Sequence, residues 1–186
     1  MIREISAGGV VLREIDDLWH VALIEPQKSE AEGKDALKGE PKAKSRRVHT
    51  AALCLPKGLV DTGERAEAAA VREVFEETGV VAETIAKLVD LKYVYVRTWG
   101  DGQRVFKIVS FYLMKYISGE IGEIAPEMRI EVKRAVWIPL DQAQKQMAYS
   151  GERRVMALAQ QHLAVYGLDA KNVPIAVKSP RKRSAG

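Results

Sequence analysis

Three carboxylates, Glu73, Glu76 and Glu77, lie within the stretch Arg72-Glu73-Val74-Phe75-Glu76-Glu77. On an α-helix their i, i+3 and i+4 spacing places all three on one face, roughly opposite the apolar positions. Carboxylates this close repel one another, which raises their pKa values and weakens the helix unless a cation intervenes. Hard oxygen ligands suit Mg²⁺ or Mn²⁺, and magnesium commonly bridges protein carboxylates and substrate phosphates. Arg72 is placed to pair with Glu76 or to orient a neighbouring carboxylate. Spacing alone also describes an ordinary solvated acidic face, and on that ground the plainer reading is favoured.

The element that must present these groups is a helix over residues 65–78. Val71, Val74, Phe75 and Thr78 recur at helical spacing as its buried stripe. Gly79 stands where a C-terminal glycine cap belongs, and Asp61 and Glu64 have the spacing of a capping box. Residues 3–13 read as a strand and 19–24 as its antiparallel partner, with Asp16-Asp17 in the turn. Residues 26–47 carry Pro26, Gly33, Gly39, Pro41, many charges and few large apolar groups, the composition of an exposed, flexible insertion. Strand character resumes over 48–55. Residues 85–97 and 104–116 read as two strands joined across residues 98–103, with Asp-Gly turn chemistry. A short strand is predicted at 135–138, and helices at 141–147 and 152–166. The second of these has Val155, Leu158, Ala159 and Leu163 on one stripe. There is no internal repeat. The expected organisation is one domain over 1–166, carrying the insertion, and a basic C-terminal tail over 167–186.

The 186 residues, 47% hydrophobic, are enough for one domain with a substantial core. No apolar run approaches the length of a membrane span, and the N-terminus has no apolar signal region. The single cysteine, Cys54, excludes an internal disulfide and fits a reducing cytoplasm. Flanked by Leu53 and Leu55, it reads as a buried structural thiol. Residues 28–47 carry +3 and 171–186 carry +5 of a net charge of +4, leaving the remaining residues net acidic. Basic charge confined to a loop and a tail, rather than a structured face, disfavours nucleic acid as a partner. His20, His49 and His162 show no ligand spacing.

The residues before and around the acidic helix change its reading. Gly58 is followed after five residues by Glu64, and after seven more by Arg72-Glu73-Val74-Phe75-Glu76-Glu77-Thr78-Gly79-Val80. This resembles the Nudix box, signature of the Nudix hydrolase family, with every fixed position met. The looser resemblance, including Trp137-Ile138-Pro139-Leu140 before a helix, covers about residues 3–165. It implies an α/β fold: an α/β/α sandwich with a mixed β-sheet between helices. It implies metal-dependent hydrolysis of a diphosphate linkage in a nucleoside diphosphate derivative. Glu73, Glu76 and Glu77 then correspond to the metal-binding glutamates, Gly58 to a carbonyl ligand, Arg72 to the orienting arginine and Glu64 to a supporting residue outside the ligand shell. The bound metal, Mg²⁺ or Mn²⁺, lowers the pKa of a water and neutralises phosphate charge, and a base must take that water's proton. Glu73 is one candidate base. Glu131 and Glu127, before the Trp137 strand, are two others. The family resemblance leans toward a homodimer.

For the substrate, Leu55-Pro56-Lys57-Gly58 resembles the branch acting on dinucleoside polyphosphates, which become the first choice. ADP-ribose or another nucleotide sugar, and an RNA 5′ end, are the alternatives. A non-catalytic nucleotide sensor is disfavoured because all box glutamates are present. Lys57 is a candidate phosphate contact as a point charge. Period-2 alternation puts Tyr93, Tyr95 and Arg97 on one face of their strand. Tyr95 or Trp99 is a candidate to stack on a base, and Arg97, Arg104 and Lys107 to bind phosphate. The expected partner is a phosphorylated small molecule, not a membrane.

Overall fold

A computed structural model describes residues 1–27, 52–97 and 102–169. Most of the expected insertion, residue Trp99 and the tail beyond 169 lie outside the described residues. Among these, no helix is long and apolar enough to cross a membrane.

Strand β1 (Ile2–Ile15) is the axis of a mixed sheet. It returns through Asp16 and Asp17, whose φ values of 51° and 60° give the left-handed pair that a two-residue hairpin requires, into β2 (Leu18–Pro26). The other edge of β1 runs parallel to β5 (Arg104–Gly119), from Ile2 opposite Val105 to Leu12 opposite Lys115. β5 pairs antiparallel with β4 (Val80–Val96), and β6 (Val132–Pro139) closes the far side along β2. The order is β4-β5-β1-β2-β6. The short β3 (Lys57–Leu59) shares an edge of β1 with β2, facing Ser6 to Gly8 while β2 faces Leu12 to Ile15.

Helices cover both faces. α1 (Ala66–Thr78) packs Ala69, Ala70 and Val74 against Ala7, Val11 and Met114. It comes so close to β1 that a β-carbon on Gly9 would meet Met114 and Val74 side chains. α2 (Leu140–Gln146) and α3 (Ser150–Tyr166) cover the opposite face, where Val155, Met156 and Ala159 join Val10, Leu12, Phe111 and Leu113. The architecture is the expected α/β/α sandwich around a mixed sheet.

Local differences from the sequence reading have physical causes. The segment expected as a strand over 48–55 pairs, in its described part, only through single bridges of Cys54 with Ile24 and Leu53 with Met147; the regular pairing lies one turn later, at β3. β4 starts at Val80, straight after the Gly79 cap (φ 77°), rather than at 85. Its early residues follow the sheet through register shifts at 81/82, 84/86 and 87/89, which blur the period-2 pattern. Asp61 and Glu64 do not cap the helix. The N-cap residue is Arg65, without a side-chain bond, and Glu64 instead closes a turn by accepting the Asp61 N–H at 3.0 Å. Phe75, expected on the buried stripe, is 51% exposed.

Candidate metal and nucleotide site

The same rotation of α1 that exposes Phe75 buries two of its carboxylates. Glu73 and Glu77 are each 5% exposed and lie beside the apolar stripe rather than opposite it. Glu73, Val74 and Glu77 form one i, i+1, i+4 strip facing β3 and the sheet edge. The Glu77 Oε2 accepts the main-chain N–H of Lys57 at 2.7 Å. The Glu73 carboxylate rests on Gly58, where a β-carbon would overlap it. Glycine there is a matter of space for the carboxylate, not of backbone conformation.

Arg72 organises the outer side. Its guanidinium donates to both oxygens of Glu64 (3.0 and 2.9 Å), to Glu73 Oε1 (2.8 Å), to Glu76 Oε2 (3.1 Å) and to the Leu59 carbonyl (3.0 Å). These bonds lock α1 to the loop that precedes it, and the fork geometry of a guanidinium is what allows so many at once. Together, burial opposed, they raise the affinity of Arg72 for its proton. Glu64 is held below the ordinary carboxylate range by Arg72 and by the Asp61 N–H.

Burial has the opposite effect on the inner pair. It pushes Glu73 up against the pull of Arg72, with Glu76 and Glu131 adding repulsion. It pushes Glu77 up to about 8, although Lys57 opposes the shift; Glu73 and Glu131 reinforce it. Two desolvated acids, with Glu131 adding to the negative field around them, are hard oxygen donors that a cation would relieve. Among the described residues, no three such groups stand as a complete ligand set; Arg72 engages Glu73 and Glu76, and the Lys57 N–H engages Glu77. The donor chemistry nevertheless fits Mg²⁺ or Mn²⁺: oxygen only, buried, and relieved by a cation.

The two outlying glutamates separate. The chain after β5 is tied back to the end of α1: Gly122 donates to the Thr78 carbonyl at 2.9 Å and Ala125 to that of Glu76 at 3.1 Å. A 3₁₀ turn (Pro126–Ile130) follows, and Glu131 at its end is pinned through its carbonyl by the Gln27 N–H at 2.6 Å. Glu131 thereby enters the field of Glu73 and Glu77. Glu127 stands at the start of the same turn, and both glutamates are exposed.

The residues considered for substrate also divide. Tyr93, Lys107 and Glu4 sit in register across β4, β5 and β1. Lys107 pairs with Glu4, and the Tyr95 hydroxyl donates to Glu4 at 3.0 Å. Arg97, two residues on, shares that face by alternation and its charge acts on Tyr95 and Glu4. Arg104 pairs with Val96 and falls on the other face. Lys57 points to the α3 side, where its ammonium meets Glu152 Oε1 at 3.2 Å. Although burial opposes its charge, Glu152, Cys54 and Glu77 hold its pKa well above the ordinary lysine value.

Glu152 and Glu4 escaped the sequence reading. Glu152 left a trace: it heads the series Glu152, Val155, Met156, Ala159, so an acid occupies the apolar stripe of α3. A charge on a buried stripe implies a paired partner.

A family model described as NUDIX domain matches residues 38–159. A curated relative described as mutator protein MutT4, from Mycobacterium tuberculosis (strain CDC 1551 / Oshkosh), is 33% identical over 98% of this chain and 65% of its own length. An 8-oxo-(d)GTP phosphatase of Mycolicibacterium smegmatis (strain ATCC 700084 / mc(2)155) is 32% identical over 55% of this chain and 28% of its own length. The chain thus spans less than two thirds of either relative. Among solved structures, a C. elegans Ap4A hydrolase binary complex superposes with a TM-score of 0.58 at 20% identity, covering 87% of this chain and 98% of that one. At that identity the likeness is one of fold.

Proposed function

The chain belongs to the NUDIX family, and from that premise we propose that it hydrolyses a diphosphate linkage in a nucleoside diphosphate derivative, using a divalent cation, with dinucleoside polyphosphates as the first substrate class. The observation that carries this reading is the buried pair Glu73 and Glu77. Both have raised proton affinity, rest on the Gly58 and Lys57 backbone, and lie in the field of Glu131. Such an arrangement is costly unless it serves a cation.

Glu73, Glu76, Glu77 and the Gly58 carbonyl would hold Mg²⁺ or Mn²⁺. When bound, the cation supplies neutralisation of phosphate charge and a water of lowered pKa. Arg72 keeps Glu73 and Glu76 in register with Glu64. Glu131 is the proposed base, since its charge acts on the inner carboxylates from a separately anchored turn. Tyr95, Arg97 and Lys107 give the sheet face opposite α1, the side on which α3 packs, a ring for a base and cations for phosphate. Lys57 acts on the scaffold in this reading, because its ammonium is engaged by the buried Glu152, whereas Lys107 is engaged by the more exposed Glu4.

A second reading, a nucleoside triphosphate substrate including oxidised forms, is supported by the relative named 8-oxo-(d)GTP phosphatase. A substrate panel in Mg²⁺ and ¹⁸O-water decides between them. The proposal expects Mg²⁺-dependent turnover of a dinucleoside tetraphosphate, with label in one nucleotide product. Faster turnover of triphosphates selects the second reading. No turnover of any diphosphate-containing compound overturns both.

A further inference from the structure

Glu152 lies in the first turn of α3, on the side of the sheet away from α1, and is 3% exposed. Both of its oxygens are used on one short stretch of chain. Oε2 accepts the Leu55 N–H at 2.8 Å, and Oε1 meets the Lys57 ammonium at 3.2 Å. The Lys57 N–H points the other way, to Glu77 Oε2, and the next residue, Gly58, is the floor under Glu73. Residues 55–58 are therefore gripped from both faces: by a carboxylate of α3 behind and by two carboxylates of α1 in front.

We propose that Glu152 is a positioning residue for the cation site, setting the 55–58 stretch so that the Lys57 N–H and Gly58 meet Glu77 and Glu73. This rests on the reading of Glu73, Glu76 and Glu77 as cation ligands. The physical argument is that a main-chain donor orients a ligating carboxylate only if its own peptide is fixed. The carbonyl of that peptide, that of Pro56, accepts the Gly9 N–H at 3.2 Å, and Glu152 fixes the residues on either side of it through the Leu55 N–H and the Lys57 ammonium. Loss of its charge leaves the Lys57 ammonium without its carboxylate in a largely desolvated position and loosens the Leu55 anchor. The peptide shifts, and Glu77 shifts with it. Groups one layer out from a ligand commonly change metal affinity 10- to 100-fold.

Mn²⁺ titration of the full chain, followed by electron paramagnetic resonance, tests this in four proteins: wild type, Glu152→Gln, Glu77→Gln and the double variant. Glu152→Gln should keep a cooperative thermal transition yet bind Mn²⁺ about 10- to 100-fold more weakly. In the Glu77→Gln background the same change should cost clearly less affinity, because one of the two carboxylates it positions is already gone. A wild type without Mn²⁺ binding overturns the cation reading itself. A wild type that binds, with Glu152→Gln equal to it or with equal losses in both backgrounds, overturns the positioning role alone. If Glu152→Gln does not fold, the paired variant Lys57→Met/Glu152→Leu replaces the ions by apolar side chains of similar length. Weakened Mn²⁺ binding in that folded protein supports the proposal, and wild-type affinity overturns it.

Discussion

Gly58 and the Glu73 carboxylate adjoin so closely that a β-carbon on residue 58 would occupy the carboxyl group's own space. Gly58→Ala must therefore displace Glu73 from β3, while its backbone, not being left-handed, accepts alanine without strain. The expected outcome is a folded protein whose kcat falls about 10- to 100-fold and whose Mg²⁺ requirement rises. Mg²⁺ titrations of the initial rate check it; an alanine variant with wild-type dependence would show that Glu73 does not act from this position.

Much of this arrangement was legible beforehand, and the rest was not for identifiable reasons. The box positions, the Gly79 cap and the hairpin at Asp16-Asp17 are local, so residue types alone convey them. The burial of Glu73 and Glu77 was not legible, because α1 packs through small alanines, Ala69 and Ala70, while the larger Phe75 faces solvent. Helical periodicity weighted by side-chain size then points to the wrong side of the helix. The Glu152–Lys57 link joins residues 95 positions apart and depends on packing across the sheet, which no local pattern carries.

Glu77 couples stability to pH in the opposite sense from an ordinary paired carboxylate. Its folded pKa of about 8 exceeds the ordinary 4.5, so without a cation the folded state binds the proton more tightly than the unfolded one. Stability from this group is complete below about pH 4.5 and is lost as pH rises toward 8, by at most about 1.4 kcal/mol per pH unit. In EDTA, the Tm of wild type should fall relative to Glu77→Gln between pH 5 and 8, and saturating Mg²⁺ should remove the difference in slope. Parallel melting curves in EDTA would refute the raised pKa. The same variant, like Glu76→Gln, should lose orders of magnitude in kcat, since each would remove a charged ligand of the proposed cation.

The two outlying glutamates predict different kinetics. Glu131→Gln should lower kcat about 10²- to 10⁴-fold, the usual contribution of general-base catalysis, while leaving Mn²⁺ affinity within a few-fold. Glu127→Gln, at a residue not among those that add repulsion to the inner pair most strongly, should retain near-normal kcat. Pre-steady-state turnover across pH 5–9 separates them. Equal and small effects would return the base to Glu73.

The sheet face beyond the carboxylates yields the last prediction. Lys107 and Tyr95 converge on Glu4, so Glu4 gathers a cation and a ring on the face that Arg97 also shares. Arg104 carries the same charge in the same hairpin, but its pairing with Val96 turns it to the opposite face. If this face binds the nucleotide, Lys107→Ala and Arg97→Ala should each raise KM about tenfold, the loss of roughly one charge-assisted hydrogen bond to phosphate. Because the chemistry occurs at the carboxylates, kcat should change little. Arg104→Ala should leave both constants within twofold. Tyr95→Phe keeps the ring but loses the bond to Glu4, so it should cost less than Tyr95→Ala if the ring stacks on a base. Steady-state kinetics on the best substrate of the panel measure all four; a KM effect from Arg104→Ala equal to that from Lys107→Ala would mean that long-range charge, not this face, draws the substrate in.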